Sequence, residues 1–167
     1  MASECSFDVV SKVDFQEVKN ATEHALKEIK QRYDFKGSIS NIELSGTDKI
    51  ILTSDDEIKL KAVIDVLQSK LFKRGVSIRS LNYGKIQQAS KGTVRQEISI
   101  SQGIAQDKAK IFVNGIKEKK FKVQVSIQGD QLRISGKDKD ALQEVIAFIR
   151  QEQNRANIDI QIVNLRG

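Results

Sequence analysis

Hydrophobic and polar positions along the chain alternate between two periods. Phe7 and Val9 are separated by polar residues, as in a half-buried strand, and Asp14 then stands where a helix would need its N-cap. Phe15, Val18, Thr22, Ala25 and Ile29 follow at helical spacing, which predicts a helix over 14–32 that stops ahead of Gly37. Ile42 with Leu44, and Ile50 with Leu52, alternate on either side of Ser45-Gly46-Thr47-Asp48, the pattern of a β-hairpin. A second helix is expected from Asp56 to Lys73, with Leu60, Val63, Ile64, Leu67 and Leu71 inward and Gly75 as its stop. Val76 and Ile78 then open a strand over 76–81.

Residues 82–93 are polar, contain two glycines and show no sustained period, so they read as a connection. After them the pattern restarts. Ile98 and Ile100 predict a strand over 97–101, and Ala105, Ala109, Phe112 and Ile116 a helix. Val123, Val125 and Ile127 form a strand, turned through Gln128-Gly129-Asp130 onto Leu132 and Ile134. Asp138 caps a last helix carrying Leu142, Val145, Ile146 and Ile149, and Ile158, Ile160 and Ile162 form the closing strand. A shift of 82 positions lays Asp56 on Asp138, Leu60 on Leu142, Val63 on Val145, Ile64 on Ile146, Ile78 on Ile160 and Asn82 on Asn164. Each half spells βαββαβ, and duplication accounts for the match. The predicted fold class is α+β, two ferredoxin-like units with two helices on one face of a four-stranded antiparallel sheet.

An open sheet face invites comparison with RNA-recognition motifs, which stack bases on aromatics of the central strands. The expected central strands, 49–54 and 131–136, carry no Phe or Tyr, so stacked readout of that kind is not predicted.

Composition narrows the class further. Apolar residues make up 39% of the chain, charged residues 30% and aromatics only 5%, so Ile, Val and Leu must fill a globular core. The single cysteine, Cys5, allows neither an internal disulfide nor a multi-thiolate metal site, and fits a reducing compartment. No export signal or membrane-spanning run is read along the chain, and a cytoplasmic protein without membrane contact is expected. His24 and Cys5 lie in no nucleophile or acid–base motif, and no Walker loop, dinucleotide fingerprint or metal spacing occurs. Neither an enzyme, a cofactor nor a bound metal is predicted.

The formal charge of +6 is unevenly spread: between Lys70 and Lys122 thirteen basic residues face three acidic ones. Such a segment suits phosphate contact, because cations release counterions from a polyanion. Its dense parts, Lys70, Lys73 and Arg74, then Lys117, Lys119, Lys120 and Lys122, fall at predicted helix C-termini, where cations also complement the helix dipole. Arg32-Tyr33-Asp34-Phe35-Lys36-Gly37 adds two aromatics beside cations, either closing the core or stacking a base.

Ser6-Phe7-Asp8-Val9-Val10-Ser11, Tyr33-Asp34-Phe35-Lys36-Gly37, Lys73-Arg74-Gly75, Lys122-Val123-Gln124, Gln128-Gly129-Asp130 and Asn164-Leu165-Arg166 together resemble the YajQ family of small bacterial nucleotide-binding proteins, over essentially the whole chain. The resemblance implies ferredoxin-like domains with exchanged first strands. One would span 12–101, using strand 97–101; the other would combine 1–11 with 102–167, using strand 6–10; residues 82–93 would connect them. It also implies non-enzymatic binding of tRNA or guanine nucleotides. Asn114 and Gly115 depart from the family's more uniformly helical and basic third helix and predict an interruption there. The expected contacts are Lys73, Arg74, Lys119, Lys120, Lys122 and Lys36 on phosphate, with Tyr33 or Phe35 as a stacking face. The alternative is a regulatory module that binds a protein partner, with a nucleotide such as cyclic di-GMP as effector.

Overall fold

The computed structural model describes residues 4–46 and 48–167; residues 1–3 and Thr47, which fall in the expected second domain and first hairpin turn, lie outside them. In chain order the elements are β1 (Cys5–Val10), α1 (Phe15–Gln31), β2 (Asn41–Ser45), β3 (Lys49–Ser54), α2 (Glu57–Lys73), β4 (Leu81–Tyr83), β5 (Gln87–Gln88) and β6 (Val94–Ile100). They continue with α3 (Gln106–Glu118), β7 (Gln124–Gln128), β8 (Gln131–Gly136), α4 (Lys139–Ala156) and β9 (Gln161–Arg166). Among the described residues these make four α-helices and two antiparallel sheets. The chain forms two compact units: Val13–Ser101, and the segment up to Lys12 together with Gln102–Gly167.

In the 13–101 unit the sheet order is β2-β3-β6-β4, with β5 also paired to β6. Val18, Ala21, Ala25 and Ile29 of α1 and Leu60, Val63, Val66, Leu67 and Leu71 of α2 pack over Ile42, Ile50, Leu52 and Ile98 of the sheet. Asp14 caps α1 by accepting the N–H groups of Gln16 and Glu17. Asp56 caps α2 through the N–H of Lys59. These carboxylates satisfy backbone donors that the first turn of a helix leaves over. The inward stripe of α2 uses Val66, while Ile64 is only partly buried.

The strand expected over 76–81 begins later. Gly75 takes φ +78°, the N–H of Val76 bonds to Leu71 O at 2.9 Å and that of Gly75 to Phe72 O at 3.0 Å, a Schellman close that satisfies the last helical carbonyls. Val76 is thereby buried; Ser77 accepts the Arg79 N–H, and a 3₁₀ turn over Ile78–Ser80 precedes β4. Residues 82–93 contain the rest of β4, all of β5 and a further short turn, each strand pairing with β6, so this stretch is part of the sheet instead of a linker. Its polar composition follows from exposure along these short strands. For the same reason β6 starts at Val94, ahead of the expected 97.

The other unit orders its strands β7-β8-β1-β9. Phe7 and Val9 of β1, Leu132 and Ile134 of β8, Phe112 and Ile116 of α3, and Leu142, Val145 and Ile149 of α4 form its core. Ile104 is buried where Ala105 was expected to be; Ala105 is the exposed N-cap position of α3. Ile158 is buried, but β9 itself starts at Gln161, after Asn157 turns the end of α4 at φ 53°.

The interruption expected at Asn114 and Gly115 does not occur: α3 runs unbroken from Gln106 to Glu118. A Cβ on Gly115 would lie 2.7 Å from Phe148 Cζ, so the glycine lets the ring of an α4 residue approach the α3 backbone. Close packing offsets the helical propensity that glycine forfeits.

Candidate functional site

The two ends of α2 carry different chemistry. At its C-terminus Lys70 Nζ pairs with Glu28 Oε1 at 3.1 Å, and Arg74 reaches Glu17 Oε2 at 3.7 Å and His24 Nε2 at 3.1 Å. Lys70 and the neighbouring Arg32 hold the Glu28 carboxyl below its ordinary range. Lys70 and Arg74 are therefore tied to α1, whereas Lys73 is exposed and makes no ion pair among the described residues. Phe72 beside it is 77% exposed, a feature the periodicity offers as an apolar residue off the inward stripe but which sequence reasoning passed over.

Tyr33, Phe35 and Lys36 sit at the opposite end. Lys59, in the first turn of α2, donates to the Asp34 carbonyl, and Arg32 grips the Asp34 carboxylate with bonds of 2.9 and 2.7 Å. That pairing holds the Asp34 carboxyl below the usual range. Phe35 is 5% exposed, with Arg32 5.3 Å and Lys59 5.2 Å from its ring centre. A ring so enclosed cannot receive a base; Tyr33, 88% exposed, can. Because α2 has 17 residues, these groups stand roughly 25 Å along its axis from Lys73 and Arg74, and the two sets do not form one site.

The end of α3 is different again. Lys117, Lys119, Lys120 and Lys122 are all exposed, and none makes an ion pair among the described residues. The helix closes through the N–H of Lys119 on Gly115 O and that of Lys120 on Lys117 O, and Lys120 takes φ 55°. Phe121 then packs on Phe148 with ring centres 5.5 Å apart. Phe121, Lys122 and Lys137 border an open cleft of about 420 Å³, closed on its other sides by Glu4, Ser135 and Asp138. Asp138 accepts the Asp140 N–H at the start of α4, so its charge is partly committed to that helix terminus. Lys137 was not among the expected contacts; its position directly before an N-cap aspartate was the available signal.

The central strands turn mostly polar residues away from the helices. Arg95, Glu97 and Ser99 of β6 lie beside Lys49, Ile51 and Thr53 of β3; Ser6 and Asp8 of β1 lie beside Arg133 and Ser135 of β8. None is aromatic, so the central strands offer no stacking platform. Cys5 is buried at 5% exposure, no described cluster of three or more His, Cys, Asp or Glu could hold a metal, and no helix is long and apolar enough to cross a membrane among the described residues.

Around this open cleft, lysines without an ion-pair partner among the described residues offer positive charge to an anionic ligand. Residues 5–166 match the family model described as "Nucleotide-binding protein YajQ-like". Relatives named "Nucleotide-binding protein" include one from Desulfitobacterium hafniense (strain DSM 10664 / DCB-2), 56% identical over 166 residues, covering 99% of this chain and 100% of the relative. Another from Geotalea uraniireducens (strain Rf4) is 53% identical over 161 residues, covering 96% of this chain and 98% of the relative. A third, from Heliobacterium modesticaldum (strain ATCC 51547 / Ice1), is 51% identical over 167 residues with both chains covered in full. The chain belongs to the YajQ-like family.

Proposed function

We propose that this protein is a non-enzymatic nucleotide- or RNA-binding protein of the cytoplasm, of the tRNA or guanine-nucleotide class, acting through the basic end of α3. The observation that carries this reading is the set Lys117, Lys119, Lys120 and Lys122, exposed and free of ion pairs among the described residues. Dipole complementation alone would use one or two such cations. Lys73, Lys36 and Tyr33 are secondary contacts in this reading; Arg74 and Phe35 serve the fold. Two ferredoxin-like domains, duplicated and with first strands exchanged, provide its frame. The matching sheet orders, in which β1 and β6 each lie between a hairpin strand and a final strand, support that architecture.

The test is binding of bulk tRNA to the full chain at several salt concentrations. About six single-strand phosphate contacts give a log K against log salt slope near −4, or ~300-fold weaker binding from 50 to 200 mM. The triple change K119Q/K120Q/K122Q should weaken binding and flatten that slope by about 2. An unchanged slope and affinity would sink the assignment.

A second reading, a regulatory module with a nucleotide such as cyclic di-GMP as effector, draws on the exposed apolar side chains of the 13–101 unit. Tyr33, Ile58 and Phe72 are 88%, 84% and 77% exposed, which suits a protein partner. Partners that persist in a pull-down after nuclease treatment would favour it.

A further inference from the structure

The register of the two sheets gives each unit a counterpart of the other's cleft. In one, Thr53 lies between Asn41 and Arg95; in the other, Ser135 lies between Gln124 and Ser6. With these rows aligned, the position two residues before the hairpin strand's member is Ile39 in one unit and Lys122 in the other. Two residues beyond the central member stand Asp55 and Lys137, and two before the third stand Thr93 and Glu4. Ile39, Thr53, Asp55 and Thr93 do line a cleft, of about 390 Å³, similar in size to the one of about 420 Å³ in the other unit.

The shapes correspond but the chemistry does not. Two lysines in one cleft are replaced by an isoleucine and an aspartate in the other. Asp55 accepts hydrogen bonds from Ser38 Oγ and from the Ile39 N–H at 3.3 Å, which hold its carboxyl below the ordinary range and keep it charged. Lys91 is the one cation lining that cleft, and it shares the space with this fixed carboxylate. In the other cleft Lys122 and Lys137 have no protein partner among the described residues, and one of the two carboxylates, Asp138, already serves α4.

Building on the nucleotide-binding reading, we infer that the chain has a single small-ligand phosphate site, with Lys122 and Lys137 holding the di- or triphosphate of a nucleotide, and that the equivalent cleft beside Asp55 rejects anions. The cleft's volume falls in the range of small-molecule sites, and its two lysines come from different loops, one before β7 and one after β8, so that a polyphosphate in the cleft could meet both. One nucleotide should therefore bind per chain in spite of two similar units.

Isothermal titration of the full chain with GTP, and with inorganic pyrophosphate as a base-free probe, tests this. One site per chain is expected, weakened at least roughly tenfold in K122Q/K137Q and unchanged in K61Q, whose lysine lies on the exposed face of α2. Equal affinity in K122Q/K137Q, or two equivalent sites per chain, would overturn the cleft assignment while leaving nucleotide binding intact. Failure of the wild-type chain to bind GTP, pyrophosphate and tRNA would overturn both.

Discussion

Arg133 grips Asp8 from the neighbouring strand through two hydrogen bonds, Nε to Oδ1 at 2.8 Å and Nη2 to Oδ2 at 3.2 Å. Asp8 sits on central strand β1, facing away from Phe7 and Val9 in the core, and is only 1% exposed. Asn164 Nδ2 completes its shell at 2.8 Å; the left-handed φ of 55° at Asn164, where β9 carries one more residue than β1 between Ser6 and Asp8, accompanies that reach. Bonding to Arg133 first, and against the cost of burial, holds the Asp8 carboxyl below its ordinary value of 3.8.

A depressed folded-state pKa means that the unfolded chain takes up the proton first as pH falls. The stabilisation by Asp8 is thus complete above the unfolded value and is lost progressively as pH drops through 3.8 and on through the lower folded value. Urea midpoints should fall steeply below about pH 4.5 in the wild type. D8N should be less stable at neutral pH and show a flatter decline; a wild-type decline no steeper than that of D8N would contradict the account.

Gly115 and Phe148 set up a second test. G115A gains about 1 kcal/mol of helix propensity, but the new Cβ would lie 2.7 Å from Phe148 Cζ, forcing the ring to swing and disturb its packing on Phe121. A net loss of about 1 kcal/mol is expected, and F148L in the same background should recover part of it. Thermal denaturation of the wild type and the two variants checks this; a more stable G115A would show that the ring moves freely.

Much of this architecture is readable because caps and stripes are local. Asp14, Asp56 and Asp138 each open a helix where an aspartate precedes an apolar stripe, and Gly75 closes one where φ must be positive. Where chain ends of sheets are exposed, the pattern fades: Gln87 and Gln88 pair with β6 but carry no apolar signal that would mark them as a strand. Charge was legible as composition, but its function was not. Lys70, Arg74 and Lys122 look alike in the chain, and only the helix packing that brings Glu17 and Glu28 against the first two separates them from the third. Likewise nothing local tells Tyr33 from Phe35; the turn between them sends one ring into the core and the other into solvent.

That difference predicts opposite outcomes for the two aromatics. F35A empties a buried position flanked by Arg32 and Lys59 and should cost about 3–5 kcal/mol, as large-to-small core changes do. Y33A removes a side chain that is 88% exposed and should alter stability by less than about 0.5 kcal/mol. Chemical denaturation resolves both. If Tyr33 stacks on RNA, Y33A should weaken tRNA binding on the order of 5-fold or more with stability intact, the loss of about one stacking contact.

Glu4 offers the sharpest electrostatic test of the cleft. Its carboxylate lines the same space as Lys122 and Lys137, so any phosphate held there is repelled by Glu4 as well as by Asp138, whose charge is partly committed to α4. Unlike Asp138, it accepts no helix N–H among the bonds that cap α4. E4Q keeps the side chain's size and removes the charge, and should tighten pyrophosphate binding by about two- to fivefold at low salt, with the gain shrinking as salt rises. The same change should leave the salt slope of tRNA binding close to wild type if RNA tracks the outer lysines Lys117, Lys119 and Lys120. Weaker pyrophosphate binding in E4Q would mean that Glu4 positions a lysine, or that the anion lies elsewhere.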